Sequence, residues 1–266
     1  MIIENVHKVF SSGDREVVAL KGITLTVSNG EFVSILGPSG CGKSTLLNAI
    51  AGFSLPTSGR LVANGVEVTL PGPDRGMVFQ EYALFPWMTV AENIAFGLKI
   101  KKLPKREIRE KVDVLLGKLQ LLDFRDRFPK DLSGGMKQRV AIARVLALDS
   151  PMMLMDEPFG ALDALTRRNL QDELLRIWME FRKTVIFVTH NIEASIYLAD
   201  RVVVMTYRPG TVKQIVPVEL SRPRDITSLR FTALQKELTD LVMEEQMRSR
   251  NDEARCPAGD DSAGEQ

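Results

Sequence analysis

Glu31-Phe32-Val33-Ser34-Ile35-Leu36-Gly37-Pro38-Ser39-Gly40-Cys41-Gly42-Lys43-Ser44-Thr45 joins a β-rich run to a glycine-rich loop, and Lys43 to Ala51 continues as a helix that stops at Gly52. The loop fits the pattern G-x-x-x-x-G-K-[ST]. Its glycines let the backbone bend until several N–H groups face one anion, at the positive end of a helix. Lys43 is then placed to reach the β- and γ-phosphates of a nucleotide, and Ser44 to ligate Mg²⁺. A chance match somewhere in a chain of this size has a probability of roughly 1% on background frequencies, before the strand and helix on either side are counted. The stretch predicts a strand–phosphate loop–helix unit in an α/β domain.

Upstream, Ile2 to Phe10, Val17 to Leu20 and Ile23 to Val27 read as short strands, separated by Ser11-Ser12-Gly13-Asp14 and Ser28-Asn29-Gly30. Downstream, Leu61 to Leu70 and Gly76 to Gln80 read as strands, with Asn64-Gly65 marking a hairpin turn. From about Val90 to Leu148 the pattern turns helical: Ile108, Val112, Leu115, Leu116 and Leu119 recur at helical spacing. Strands return at Met152 to Met155, Val185 to Thr189, Val202 to Thr206 and Val212 to Val218, with a helix from Asp163 to Arg182 among them. The fold class is therefore α/β: a mostly parallel sheet, an N-terminal antiparallel β subdomain, and a helical subdomain inserted at about residues 88–148. Leu234, Leu238, Leu241 and Val242 predict a C-terminal helical extension at about 224–250, so residues 1–250 are read as one domain. Residues 251–266, poor in apolar side chains, are expected to be a disordered tail.

Two further segments carry chemistry. Met152-Met153-Leu154-Met155-Asp156-Glu157 is an apolar run ending in two carboxylates. A buried parallel strand would deliver Asp156 to the nucleotide crevice, where it can hold Mg²⁺ directly or through water. Glu157, facing elsewhere because strand side chains alternate, can polarise an attacking water. An isolated Asp-Glu-Pro triplet is more often a solvated turn; the apolar strand and the phosphate loop favour the functional reading. Between these motifs lies Leu132-Ser133-Gly134-Gly135-Met136-Lys137-Gln138-Arg139. Ser133 reads as a helix N-cap, with Gly134 and Gly135 leaving the first-turn N–H groups sterically open. Such an end attracts anions, and a plain capped helix from Ser133 to Leu148 fits the same residues.

Composition sets the bounds. The 266 residues are 44% hydrophobic and 26% charged, enough to bury a substantial core. A net charge of +1 leaves no electrostatic footprint for nucleic acid, so no nucleic-acid partner is expected. Cys41 and Cys256 make no disulfide framework and fit a reducing, cytosolic setting. No stretch approaches the ~20 apolar residues of a membrane span, and Met1-Ile2-Ile3-Glu4-Asn5 lacks the regions of a secretory signal. Any membrane spanning is expected from other chains.

The order of phosphate loop, Ser-Gly-Gly segment and Asp-Glu pair resembles one family, the ATP-binding cassette ATPases that drive membrane transporters, over about residues 2–220. The resemblance implies a P-loop NTPase core, ATP and Mg²⁺ as cofactors, and ATP hydrolysis as the reaction. It also implies roles residue by residue. Phe10 matches the aromatic that stacks on adenine, where the family often has Tyr. Gly37, Pro38, Ser39, Gly40, Cys41, Gly42, Lys43, Ser44 and Thr45 wrap the phosphates, with Ser44, Gln80 and Asp156 at the metal. Gln80 matches the glutamine that senses Mg²⁺ and the attacking water, and His190 the switch histidine that contacts the γ-phosphate. With Glu157, these two are the candidate catalytic residues. Ser133, Gly134 and Gly135 would close over the γ-phosphate held by another subunit, and Asp163, in Ala161-Leu162-Asp163, matches the aspartate that communicates across that dimer. Asp163 also reads as an N-cap. Taken alone, Phe10 reads as core, Gln80 as surface and Cys41 as a small filler.

Phe85-Pro86-Trp87-Met88-Thr89-Val90, preceded by Pro71-Gly72-Pro73-Asp74-Arg75-Gly76, is similar to one importer subgroup. That subgroup comprises the ATPase subunits for nitrate, sulfonate and taurine, whose relatives also carry bicarbonate or pyrimidine precursors. The partners implied are a second ATPase subunit forming a homodimer, integral-membrane permease subunits seated on part of the surface from Glu81 to Ile94, and a solute-binding protein acting indirectly; Phe85 and Trp87 in that stretch also read as anchors of the helical insert against the core. The place implied is the cytoplasmic face of the inner membrane. The alternatives are the ATPase subunit of an exporter and a non-transport cassette acting on ribosomes or DNA ends; no long heptad run supports the latter. A small-molecule kinase using the same loop would leave Ser133-Gly134-Gly135 unexplained.

Overall fold

The computed structural model describes residues 1–13, 15–160 and 162–255. In chain order the strands are β1 (Ile2–Ser12), β2 (Arg15–Thr26), β3 (Phe32–Leu36), β4 (Ser58–Ala63), β5 (Val66–Glu67), β6 (Arg75–Val78), β7 (Met152–Asp156), β8 (Thr184–Thr189), β9 (Arg201–Met205) and β10 (Val212–Pro217). The helices are α1 (Lys43–Ala51), α2 (Val90–Ile100), α3 (Lys105–Lys118), α4 (Gly134–Ala147), α5 (Ala164–Phe181), α6 (Ile192–Leu198) and α7 (Leu229–Arg255). An antiparallel sheet runs β2-β1-β4-β5, and a six-stranded sheet runs β10-β9-β3-β8-β7-β6. Within the larger sheet every pairing is parallel except that of β10 with β9. The α/β architecture expected from the sequence is the one observed.

Parallel strands covered on both faces are apolar at nearly every position, and β8, buried from Thr184 to Thr189, follows that rule. The pleat divides its side chains between two cores. Ile186 and Val188 join α1 and the antiparallel sheet, whereas Val185 and Phe187 join the core built from α2 to α7. The register then aligns the strand ends that matter. Leu36 sits beside Thr189, Val188 beside Asp156, and Met155 beside Val78. Gly37, Gln80, Glu157 and His190 consequently leave the sheet from one edge, the C-terminal one, where open α/β sheets bind ligands.

Three local features differ from expectation. Val17 to Thr26 runs as one strand within β2, because Gly22, at φ +63, is absorbed as a bulge between the Val6–Ile23 and Lys8–Leu20 pairs. The run read as strand from Leu61 to Leu70 stops at Glu67, although its hairpin turn falls at Asn64-Gly65 as expected, where both residues have positive φ as a tight hairpin requires. Helix α7 extends to Arg255, so residues 251–255 are helical rather than disordered; Cys256 and the rest of the expected tail lie outside the described residues.

Helix α2 opens with a complete capping box of Thr89 and Glu92. Behind it, buried Asn93 ties down the preceding loop. Its Nδ2 donates toward the carbonyls of Phe85, Met88 and Thr89 at 3.2, 3.0 and 3.0 Å, and its Oδ1 accepts from Phe85 N at 2.9 Å. The C-terminal extension is fastened by Arg224, whose buried guanidinium donates to Ala199 O at 2.6 Å and Tyr197 O at 3.2 Å, the open carbonyl end of α6. Burial, with Arg222 nearby, pushes the Arg224 guanidinium down to about 10. No helix among the described residues is long and apolar enough to cross a membrane.

Candidate nucleotide site

The phosphate loop follows β3 and turns through Gly40 and Gly42, at φ +75 and +97. A side chain at Gly42 would stand 2.8 Å from Leu20 and 2.9 Å from Ala19 O, so both the backbone angle and the neighbouring β2 require glycine. No side chain caps α1 at Gly42, which leaves its first-turn N–H groups facing outward as anion donors. The loop borders a cavity of about 360 Å³, together with Phe10, Val17 and Ala19 from the antiparallel sheet, Glu157, and Arg208. Phe10 is 46% exposed and offers its ring to that space, with Lys8 Nζ 5.1 Å from its centroid. The bland reading of Phe10 as core is excluded.

Lys43 is buried, and its ammonium donates to Gly37 O at 2.9 Å and Pro38 O at 2.8 Å, which keeps the cation beneath the loop. Cys41 is buried behind it, and burial pushes its thiol up, away from reactivity. Ser44 Oγ donates to Asp156 Oδ1 at 3.0 Å across 112 residues of chain. Burial raises the Asp156 carboxyl above its usual range; the Ser44 hydrogen bond opposes this, and the Glu157 charge adds to it. A hydroxyl and a carboxylate side by side are hard oxygen donors, the kind Mg²⁺ takes while keeping water and phosphate oxygens as its remaining ligands. No group of three or more His, Cys, Asp or Glu among the described residues forms a cage for a metal. The residues thus fit Mg²⁺ arriving with a nucleotide.

Glu157 turns away from Asp156 for a reason the sequence reading did not contain. The strand ends at Asp156, and Glu157 has φ +41, in the left-handed region, so simple alternation does not govern it. Such a conformation costs on the order of 1–3 kcal/mol and needs outside support. Here Glu157 N donates to Val188 O at 2.9 Å, and Gly160 N donates to Glu157 O at 3.1 Å. The turned side chain meets His190, whose Nδ1 lies 2.7 Å from Glu157 Oε2. A carboxylate can only accept, so Nδ1 carries the proton of that bond. Gln80 Nε2 and Glu157 Oε2 both lie within 4 Å of the point where Gly160 would carry a Cβ, at 3.8 and 3.7 Å. Ser44, Gln80, Asp156, Glu157 and His190 therefore gather at one edge.

The Ser-Gly-Gly segment is not among the residues bordering that cavity. Ser133 Oγ accepts from Met136 N at 3.3 Å and caps α4, as expected. Asp163 Oδ1 accepts from Thr166 N at 2.9 Å and caps α5, and that N–H holds its carboxyl below the usual carboxylate range. The two caps are neighbours: a Cβ on Gly134 would stand 3.1 Å from Leu162, and one on Gly135 2.9 Å from Thr166. Ser133 and Asp163 are both exposed. Arg208 is the residue that sequence reasoning missed, because Arg208-Pro209-Gly210 between two β-branched runs carries only a turn signal.

Comparison with known proteins agrees with this geometry. The ABC transporter family model matches residues 20–160. An uncharacterized ABC transporter ATP-binding protein of Methanocaldococcus jannaschii is 50% identical over 247 residues, covering 93% of this chain and 92% of that protein. The aliphatic sulfonates import ATP-binding protein SsuB of Bacillus licheniformis is 47% identical over 232 residues, covering 87% and 90%. A solved dimeric ATP-binding cassette in a post-hydrolysis state, bound to ADP and Pi, is 34% identical with a TM-score of 0.73, covering 82% of this chain and 98% of that one. The chain therefore belongs to the ABC transporter family, as one of its ATP-binding cassette ATPases.

Proposed function

We propose that this chain is the ATP-hydrolysing subunit of an importer for a small anion such as a sulfonate, nitrate or taurine, working as a pair of identical cassettes beneath separate permease subunits. The observation that carries the reading is the separation just described. One chain gathers the phosphate loop, Ser44, Asp156, Glu157 and His190 at one sheet edge, yet leaves the start of α4, with Ser133 exposed, Gly134 half-buried and Gly135 buried, away from that cavity. A second copy facing the first would supply those donors. The sulfonate importer among the relatives supports the substrate class, and the exposed Trp87 beside Phe85 supports a permease seat on that face.

In this reading adenine lies on the Phe10 ring, and the phosphates accept from the backbone of the loop and from Lys43. Glu157 accepts a proton from the attacking water while His190 Nδ1–H fixes the carboxylate's orientation. Ser44 and Asp156, with Gln80 nearby, would hold Mg²⁺, which would supply neutralisation of phosphate charge. Pairing of two cassettes around ATP draws the attached permease segments together at the cytoplasmic membrane face, and hydrolysis releases them.

The test is ATP turnover of the purified chain, alone and assembled with its permease and solute-binding protein in a bilayer, with nitrate, sulfonates and taurine added in turn. Stimulation by one solute, lost in Glu157→Gln, is the expected result. Turnover indifferent to permease and solute, but raised by ribosomes or DNA, would replace this reading with a non-transport cassette.

A further inference from the structure

The loop between β9 and β10 lies on the phosphate loop, and the C-terminal helix holds it there. Gly210 N donates to Ala19 O at 2.9 Å, and Lys21 N donates to Gly210 O at 3.0 Å, which stitches the loop to β2. A Cβ on Gly210 would overlap the Cys41 carbonyl oxygen, so the two loops touch backbone to backbone. Thr206 Oγ1 donates to Pro209 O and accepts from Thr211 N, each at 2.9 Å, closing the turn. At its tip Arg208 donates from Nε to Gly40 O at 3.2 Å. Its side chain is exposed and borders the nucleotide cavity with Phe10, Lys43 and Ser44. Among the described residues Arg208 forms no ion pair with a carboxylate, so its remaining N–H groups keep no acidic partner.

Behind this loop stands Glu245 of α7, whose side chain is fully buried. Its Oε2 accepts from Tyr207 N at 3.0 Å, and its Oε1 lies 2.8 Å from Lys213 Nζ and 3.0 Å from Arg248 Nη1. A buried carboxylate is expensive unless it is paired and hydrogen-bonded in this manner. One of its partners is the backbone immediately before Arg208.

We propose that Arg208 is a further nucleotide-binding residue, contacting the phosphate–ribose part of ATP, and that Glu245 is a positioning residue acting through it. The proposal rests on reading the cavity as the ATP site. A polyanion entering it meets one buried ammonium, Lys43, and a guanidinium whose planar donors form charge-assisted hydrogen bonds with phosphate oxygens. Helix α7 thereby sets nucleotide affinity without bordering the cavity.

The experiment is equilibrium binding of ATP to the full chain, with thermal midpoints recorded alongside. Arg208→Ala is expected to weaken ATP about tenfold, near the lower end for a hydrogen bond to a charged group. Arg208→Lys keeps the charge but not the planar set of donors, and is expected to weaken ATP about three- to fivefold, clearly less than Arg208→Ala. Glu245→Gln is expected to weaken ATP about two- to fivefold, and to add nothing when Arg208 is already Ala. Lys43→Ala serves as the reference for the site itself. If Lys43→Ala loses ATP while Arg208→Ala does not, the ATP site stands and the Arg208 contact is overturned. If neither variant changes binding, the site reading falls with it. Equal weakness of Arg208→Lys and Arg208→Ala would make Arg208 a packing residue on Gly40 and overturn the contact. Additive losses from Glu245→Gln and Arg208→Ala would overturn the positioning role.

Discussion

Two glycine-led helix starts in this molecule, those of α1 and α4, differ in what surrounds them. Helix α1 begins at Gly42 with no side-chain cap, and its first turn opens on a cavity beside Asp156 and Glu157. Helix α4 begins at Ser133, which caps it, and its glycines pack against Leu162 and Thr166 of the same chain. Both ends share the positive pole of a helix dipole. Only the first also receives the carboxylates and the imidazole that the aligned ends of β7 and β8 deliver. A helix start becomes a candidate reaction centre when the sheet brings opposing chemistry to it; without that, it remains a capped helix end within its own chain.

The sharpest way to break this contrast is at Glu157. Glu157→Gln should leave ATP binding intact and cut turnover of the assembled complex by about 10²–10⁴-fold, the range for a general base. Unchanged turnover would remove Glu157 from that role. Next comes Lys43→Ala, which should weaken ATP binding to the chain by about 10–100-fold, since it deletes the buried cation beneath the phosphates; binding titrations read this directly. Ser133→Ala sharpens the comparison. It should lower turnover of paired cassettes by about tenfold and leave ATP affinity of the unpaired chain untouched, while the lost cap lowers stability by about 0.5–2 kcal/mol in a denaturant melt. A fall in the unpaired chain's ATP affinity would mean the two helix starts serve one site within a single chain.

The smallest effect concerns stability. Burial holds the Asp156 carboxyl above its usual range, so the unfolded chain ionises this group first as pH rises. The fold loses stability through the window from the ordinary carboxylate value up to the raised one, and does not regain it above. Asp156→Asn should therefore raise the thermal midpoint of the ligand-free chain at neutral pH, by about 2–4 °C for each kcal/mol relieved. That gain should vanish at about pH 3, below the ordinary aspartate value of ~3.9. A variant that melts below the unchanged chain at neutral pH would show that the Ser44 hydrogen bond outweighs the burial.

What the sequence disclosed follows the range of the interaction. The phosphate loop, the Ser133 and Asp163 caps and the apolar strand ending in Asp156 are local patterns, and each appears where the residue order places it. The left-handed turn at Glu157 is different, since it depends on Val188 O on a neighbouring strand. The same holds for the Glu157–His190 bond, whose partners are 33 residues apart, and for Arg208, which reaches Gly40 across 168. Nothing near Arg208 in the chain signals where a turn between β9 and β10 will lie. Gly22 misled in the opposite direction: a residue that locally reads as a break is tolerated once β1 supplies a ladder for the bulge.

Asn93 has a consequence for association. By binding Phe85, Met88 and Thr89 from behind, it fixes the backbone that presents Trp87, which is 69% exposed. Ordering a loop residue costs about 1–2 kcal/mol of backbone entropy, and in this loop that loss is borne when the chain folds. A partner seated on Trp87 meets a surface already immobilised, so its contact energy appears as affinity instead of being spent on stiffening the loop.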